Sequence, residues 1–84
     1  MTEIFVEIAG WTGAGLILLG YMLVSTGRIP GRSVIFQTLN LVGGLGFIVN
    51  TWWHGAMPST ALNIIWCATA LYTLAALWRE RVRR

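Results

Sequence analysis

The chain has 84 residues, 56% of them hydrophobic and 11% charged, with a formal net charge of +3 and a mean hydropathy of +0.68. A soluble domain this short buries only about 60% of its unfolded surface and needs a polar exterior. This composition cannot supply one, so it excludes an ordinary soluble domain and points to a protein of the bilayer, with lipids as its first partners.

Three apolar runs follow one another, each close to the roughly 20 residues of a spanning helix: Ile8 to Thr26, Ser33 to Trp53 and Ser59 to Trp78. A signal peptide would open on a basic segment, whereas this chain starts Met1-Thr2-Glu3 with Glu7 following, so the first run reads as a permanent helix. On it Gly10, Trp11, Ala14, Leu18, Tyr21, Met22 and Ser25 share one side. The turn Thr26-Gly27-Arg28-Ile29-Pro30-Gly31 ends it, because proline and glycine disfavour continuation.

Ser33 can cap the second helix through its side-chain oxygen. At about 100° per residue, Ser33, Gln37, Asn40, Gly43, Gly44, Phe47, Asn50, Thr51 and His54 fall within an arc of roughly 140°. Val34, Ile35, Leu39, Leu41, Val42, Leu45, Ile48, Val49 and Trp52 take the other side. Amides at membrane depth have no water to satisfy them and must face protein, a partner chain or a cavity. Trp52-Trp53-His54-Gly55 reads as an interfacial aromatic belt with a glycine stop. After the short connection Ala56-Met57-Pro58, the third helix gathers Ser59, Thr60, Asn63, Trp66, Cys67, Ala70 and Thr73 on one face, and a basic tail, 79–84, follows Trp78. Tight connections predict a single all-α domain over 1–84, an up-down-up bundle of three transmembrane helices.

All six basic residues are arginines: Arg28 and Arg32 in the first connection, then Arg79, Arg81, Arg83 and Arg84. In a three-helix chain these two places lie on one side, so the positive-inside rule predicts the N-terminus outside and the C-terminus in the cytoplasm. Arginines beside a membrane helix ordinarily meet anionic headgroups, and nucleic acid is not expected as a partner.

The candidate binding residues are the intramembrane polar and aromatic groups Asn63, Phe47, Asn40, Asn50, Tyr21 and Gln37. Asn63, about one turn into the third helix, either hydrogen-bonds a polar ligand or ties helices together, and Asn40 and Asn50 carry the same two readings. Phe47 offers a flat face for stacking or plain packing. Tyr21 needs a partner for its hydroxyl, and Gln37 lies near one mouth. One His, one Cys and three Glu make no metal cluster, and no carboxylate lies within the three runs as bounded here. The expectation is a non-enzyme without cofactor.

With three helices and Phe47 and Asn63 at the matching places, the chain resembles the SemiSWEET and PQ-loop half-transporters. That resemblance implies a parallel homodimer around one central sugar site, built from an aromatic residue on the second helix and an Asn on the third. The Pro-Gln pair that names the group has no counterpart between Met22 and Thr26. Gly10-Trp11-x-Gly13-Ala14, Tyr21, Ser25-x-Gly27, Gly31-Arg32-Ser33, Leu39-Asn40-Leu41-x-Gly43, Pro58-Ser59 and Asn63-x-x-Trp66 resemble a family of small bacterial three-helix membrane proteins of unknown function. Gly31-Arg32-Ser33-Val34 is also similar to the membrane domain preceding lipid A disaccharide synthases, which implies lipid-linked sugars.

Together these readings predict a multi-pass protein of the bacterial inner (plasma) membrane. It would be a homodimeric half-transporter moving a small uncharged polar solute, such as a sugar, through a central pathway. The alternative is a non-transporting scaffold, or a module binding lipid or lipid-linked sugar, that associates with another protein.

Overall fold

A computed structural model describes residues 2–83; Met1 and Arg84, the extremes of the acidic start and basic tail, lie outside the described residues. The chain forms three helices, α1 (Thr2–Ser25), α2 (Val34–Trp53) and α3 (Met57–Arg83), each long and apolar enough to cross a membrane. Two helices, α1 and α3, run well past their expected bounds. α1 starts six residues before Ile8, because nothing in Thr2–Glu7 breaks a helix and Glu3 sits favourably in the first turn. α3 begins at Met57, with Pro58 tolerated in its first turn, and continues through the expected tail to Arg83, where Arg81 and Arg83 suit the negative end of the helix. The expectation that no carboxylate lies in a spanning helix is therefore corrected: Glu3 and Glu7 belong to α1 and Glu80 to α3.

The ends are built as the local chemistry demands. Ser33 adopts extended backbone (φ −130°, ψ 155°), and its Oγ accepts from the Phe36 N–H at 3.2 Å. Gly27 (φ +75°) closes α1: its N–H donates to Val24 O at 3.0 Å, and the Arg28 N–H reaches Leu23 O at 2.9 Å. Gly55 (φ +73°) closes α2 with the same pair of bonds, to Trp52 O and, through Ala56, to Thr51 O.

α2 is the middle of the three. α1 and α3 both pack on it, and their Cα atoms nowhere come within 8 Å of each other among the described residues. Both pairings are antiparallel. Along α1–α2, Gly20 meets Phe36, Gly13 meets Gly43, and Val6 meets Asn50. Along α2–α3, Thr51 meets Thr60, Gly44 meets Cys67, and Arg32 meets Glu80.

The core is made of small groups. Its buried residues are Val6, Gly10, Gly13, Gly20, Asn40, Gly43, Gly44, Thr60, Cys67 and Ala70, and among the described residues no large side chain is fully buried. Large apolar side chains on all three helices point outward, an apolar exterior around a small-residue interior. A methyl group built on Gly13 would lie 2.5 Å from Gly43 O, and one on Gly46 2.5 Å from Ala9 O. Backbone atoms cannot step aside as a flexible side chain can, so these glycines set the separation of α1 and α2. Gly44 serves α3 likewise, with its hypothetical Cβ 2.6 Å from Cys67 Sγ.

The face of α1 turned to α2 therefore carries Val6, Gly10, Gly13, Ile17 and Gly20. Of the side that the sequence gathers on this helix, Gly10 belongs to the contact, but Trp11, Leu18, Tyr21 and Met22 are exposed. Glycine takes the contact because only a residue without a side chain lets the two backbones come this close.

Replacing Gly13 with Ala should cost about 1–3 kcal/mol by forcing α1 from α2, whereas Gly15→Ala, which meets nothing within 4 Å, should be neutral or stabilising. Thermal unfolding of both variants in one detergent checks the contrast.

Candidate functional site

The positions of α2 that touch α1 include Phe36, Leu39, Gly43, Gly46 and Asn50, with the Phe47 backbone nitrogen beside Gly13; those that touch α3 include Gly44 and Thr51. At about 100° per residue the centres of these two sets stand roughly 110° apart around α2. Asn40 and Phe47 fall between them, along the crease from which α1 and α3 diverge. Asn40 is only 5% exposed, and its side chain hydrogen-bonds to none of the described residues. Every fully occluded side-chain nitrogen or oxygen among the described residues has a partner, so the Asn40 amide retains an opening to the outside of the bundle.

Towards the Glu7 end the crease widens into a cleft of about 280 Å³ lined by Glu7, Gly10, Trp11, Ala14, Phe47 and Asn50. The four α1 residues recur at the spacing of one helix face. Asn50 reaches across the glycine seam, its Nδ2 donating to Val6 O at 3.0 Å. A side chain on Gly10 would collide with that amide, so Gly10 and Asn50 form one contact. His54 stands beside the cleft, with Nδ1 2.8 Å from Asn50 O and Nε2 3.6 Å from Glu7 Oε1.

The remaining candidates are dispersed. Gln37 Nε2 donates to Gly31 O at 2.9 Å and ties the first connection to α2. Asn63 is half-buried on the α3 face that carries Thr60, Cys67 and Ala70, and it hydrogen-bonds to none of the described residues. Tyr21 lies on the outer side of α1, 65% exposed. Phe47 and Asn50 thus share a cleft, Asn40 lies along the same crease, and Tyr21 and Gln37 stand apart. Sequence reasoning missed Glu7 and Trp11. Their signal was available: Glu7, Gly10, Trp11 and Ala14 lie at i, i+3, i+4 and i+7 once the helix is begun at Thr2.

Two further ties flank this arrangement. Each threonine hydroxyl has one proton, so Thr51, donating to Phe47 O at 2.7 Å, leaves a lone pair for Thr60 Oγ1 at 2.8 Å. At the opposite end Arg32 forks onto Glu80, with Nη1–Oε2 and Nη2–Oε1 both 2.9 Å. The Glu80 carboxylate, hydrogen-bonded to the guanidinium, raises the Arg32 pKa above its ordinary value. Arg32, Ser33, Val34, Leu77, Glu80 and Arg81 line a second cleft, of about 350 Å³.

Fold and site define an all-α protein of three helices, each able to span a membrane, with a polar crease along the middle helix. Residues 6–81 match the profile of one uncharacterised protein family, and the chain belongs to that family. No curated protein and no solved structure gives a significant match.

Because Gly10 and Asn50 share one contact, Gly10→Ala and Asn50→Ala should each destabilise by about 0.5–2 kcal/mol, and the double variant by less than their sum. A double-mutant cycle of thermal unfolding in detergent measures that non-additivity.

Proposed function

We propose that this chain is a multi-pass protein of the bacterial inner membrane that works as a parallel homodimeric half-transporter for a small polar solute. The observation that carries the reading is Asn40, an amide buried in the crease with no hydrogen-bond partner among the described residues, with Phe47 on the same strip of α2. An unpaired amide at that depth costs free energy unless a ligand or a second chain satisfies it. A single bundle leaves the crease open on one side, where the α1 and α3 backbones stay more than 8 Å apart among the described residues. Two copies facing each other would enclose it, with Asn63 offering a further amide from α3. The restriction to uncharged solutes rested on the absence of a carboxylate from the spanning helices, and Glu7 in α1 removes that ground.

The arginine arrangement supports an N-outside, C-inside orientation and subunits related by an axis along the membrane normal. An antiparallel pair would carry balanced charge on its two sides. The scaffold reading draws support from one observation: Asn50, Thr51 and Thr60 spend their polar groups on contacts between helices of the same chain.

In a Cys67→Ser background, Met57→Cys should react with an impermeant maleimide in intact cells, and Ile29→Cys only after lysis; the reverse pattern overturns the orientation. In liposomes, Asn40→Leu and Phe47→Ala should each lower solute flux at least tenfold, while native mass spectrometry from nanodiscs still records a dimer. Intact flux in both variants sinks the transport reading, and a wild-type monomer favours the scaffold.

A further inference from the structure

The cleft between α1 and α2 presents electron-rich groups almost throughout. Glu7 contributes a carboxylate, and Trp11 and Phe47 contribute aromatic rings. Asn50 contributes an acceptor for a definite reason. Val6 O can only accept, so the amide nitrogen must be the atom facing it, and Oδ1 remains unused by the described residues. His54 adds to the same side of the balance. Asn50 O can only accept, so in the neutral imidazole the proton sits on Nδ1, 2.8 Å away. In that form Nε2 is an acceptor 3.6 Å from Glu7 Oε1, and a positive or donating group can sit against both; an imidazolium would instead pair with the carboxylate itself. Against these acceptors the lining offers the Trp11 indole N–H and the second N–H of the Asn50 amide as side-chain donors. Gly10 and Ala14 keep the floor low enough for a small molecule to reach all of these groups.

We infer that this cleft binds a small organic ammonium ion. The Glu7 carboxylate supplies the counter-charge, Trp11 and Phe47 supply the rings on which cationic nitrogens rest, and Asn50 Oδ1 accepts from any N–H or hydroxyl the ligand carries. An anion meets a carboxylate and two lone pairs, and a neutral isostere gains nothing from the charge. The ammonium group could arrive on a free solute or on a lipid headgroup, since both present the same chemistry. The inference names the solute class for the transport reading, but binding itself requires neither flux nor a dimer.

The test uses the full chain in phosphatidylglycerol nanodiscs, with the Trp11 indole N–H signal followed by NMR and assigned through Trp11→Phe. Choline is titrated against 3,3-dimethyl-1-butanol, which has the same shape with carbon in place of the charged nitrogen. Choline should shift the signal saturably and the alcohol should not; Glu7→Gln, which keeps the shape of the side chain, should weaken the choline response at least tenfold. In phosphatidylcholine nanodiscs, a signal already shifted before choline is added supports headgroup capture, and one that moves only on addition supports a free solute. Equal shifts by choline and the alcohol overturn the inference. So does a Glu7→Gln variant, folded by circular dichroism, that responds like the parent chain. A chain that binds choline yet moves none across liposomes leaves the inference standing and sinks the transport reading.

Discussion

Backbone-to-backbone contact between α1 and α2 is the constraint from which the rest of this structure follows. Gly13 and Gly46 admit no methyl group, because carbonyl oxygens of the facing helix occupy that space. Bulk could not make such a contact: among the described residues the core holds no large, fully buried side chain, and most large apolar groups are exposed. Where the surroundings are themselves apolar, burying a leucine gains little, and association relies on close packing and polar bonds between helices. Glycine is costly in an isolated helix. Here that cost is offset by an approach that no other residue permits.

The same closeness creates the cleft. With Gly10 lacking a side chain, Asn50 can extend over α1 and donate to Val6 O, and the vacated surface between Trp11 and Phe47 becomes a concavity. Filling the seam with alanine would remove both the packing and the space. Stability and site therefore rest on the same residues.

α2 carries two kinds of polar group, and only their partners tell them apart. Asn50, Thr51 and Gln37 are engaged with Val6 O, Thr60 and Gly31 O, and each holds one element to another. Asn40 is more buried than any of them and bonds to none of the described residues. At the Arg32–Glu80 end the fork joins the first connection to α3, although both side chains are about half exposed and salt screens such a pair. It orients α3 more than it stabilises it.

Much of the architecture was legible in the residues themselves. Three apolar runs of spanning length, Ser33 as a cap and Gly27 and Gly55 as stops are local matters of hydropathy, hydrogen-bond geometry and backbone sterics, which a chain expresses without reference to its neighbours. The polar stripe on α2 was legible for the same reason, since helical rotation alone gathers Asn40, Gly43, Gly44, Phe47 and Asn50. The start of α1 was misjudged because hydropathy marks where apolar residues begin, whereas a helix ends where capping and contacts stop; Val6 O receiving Asn50 gives the first turns of α1 a contact that hydropathy does not register. The face of α1 was misread because Gly10, Trp11 and Tyr21 share an angle that looks special in isolation. Only packing showed that the backbones meet through Gly13 instead, with Gly20 against the Phe36 ring, leaving Trp11 and Tyr21 outside. Whether an amide is a tie or is left open, and whether Glu7 stands alone or beside Phe47 and Asn50, depends on pairings up to 44 residues apart along the chain. Such pairings are decided by which helices touch and at what rotation, a property no single helix carries.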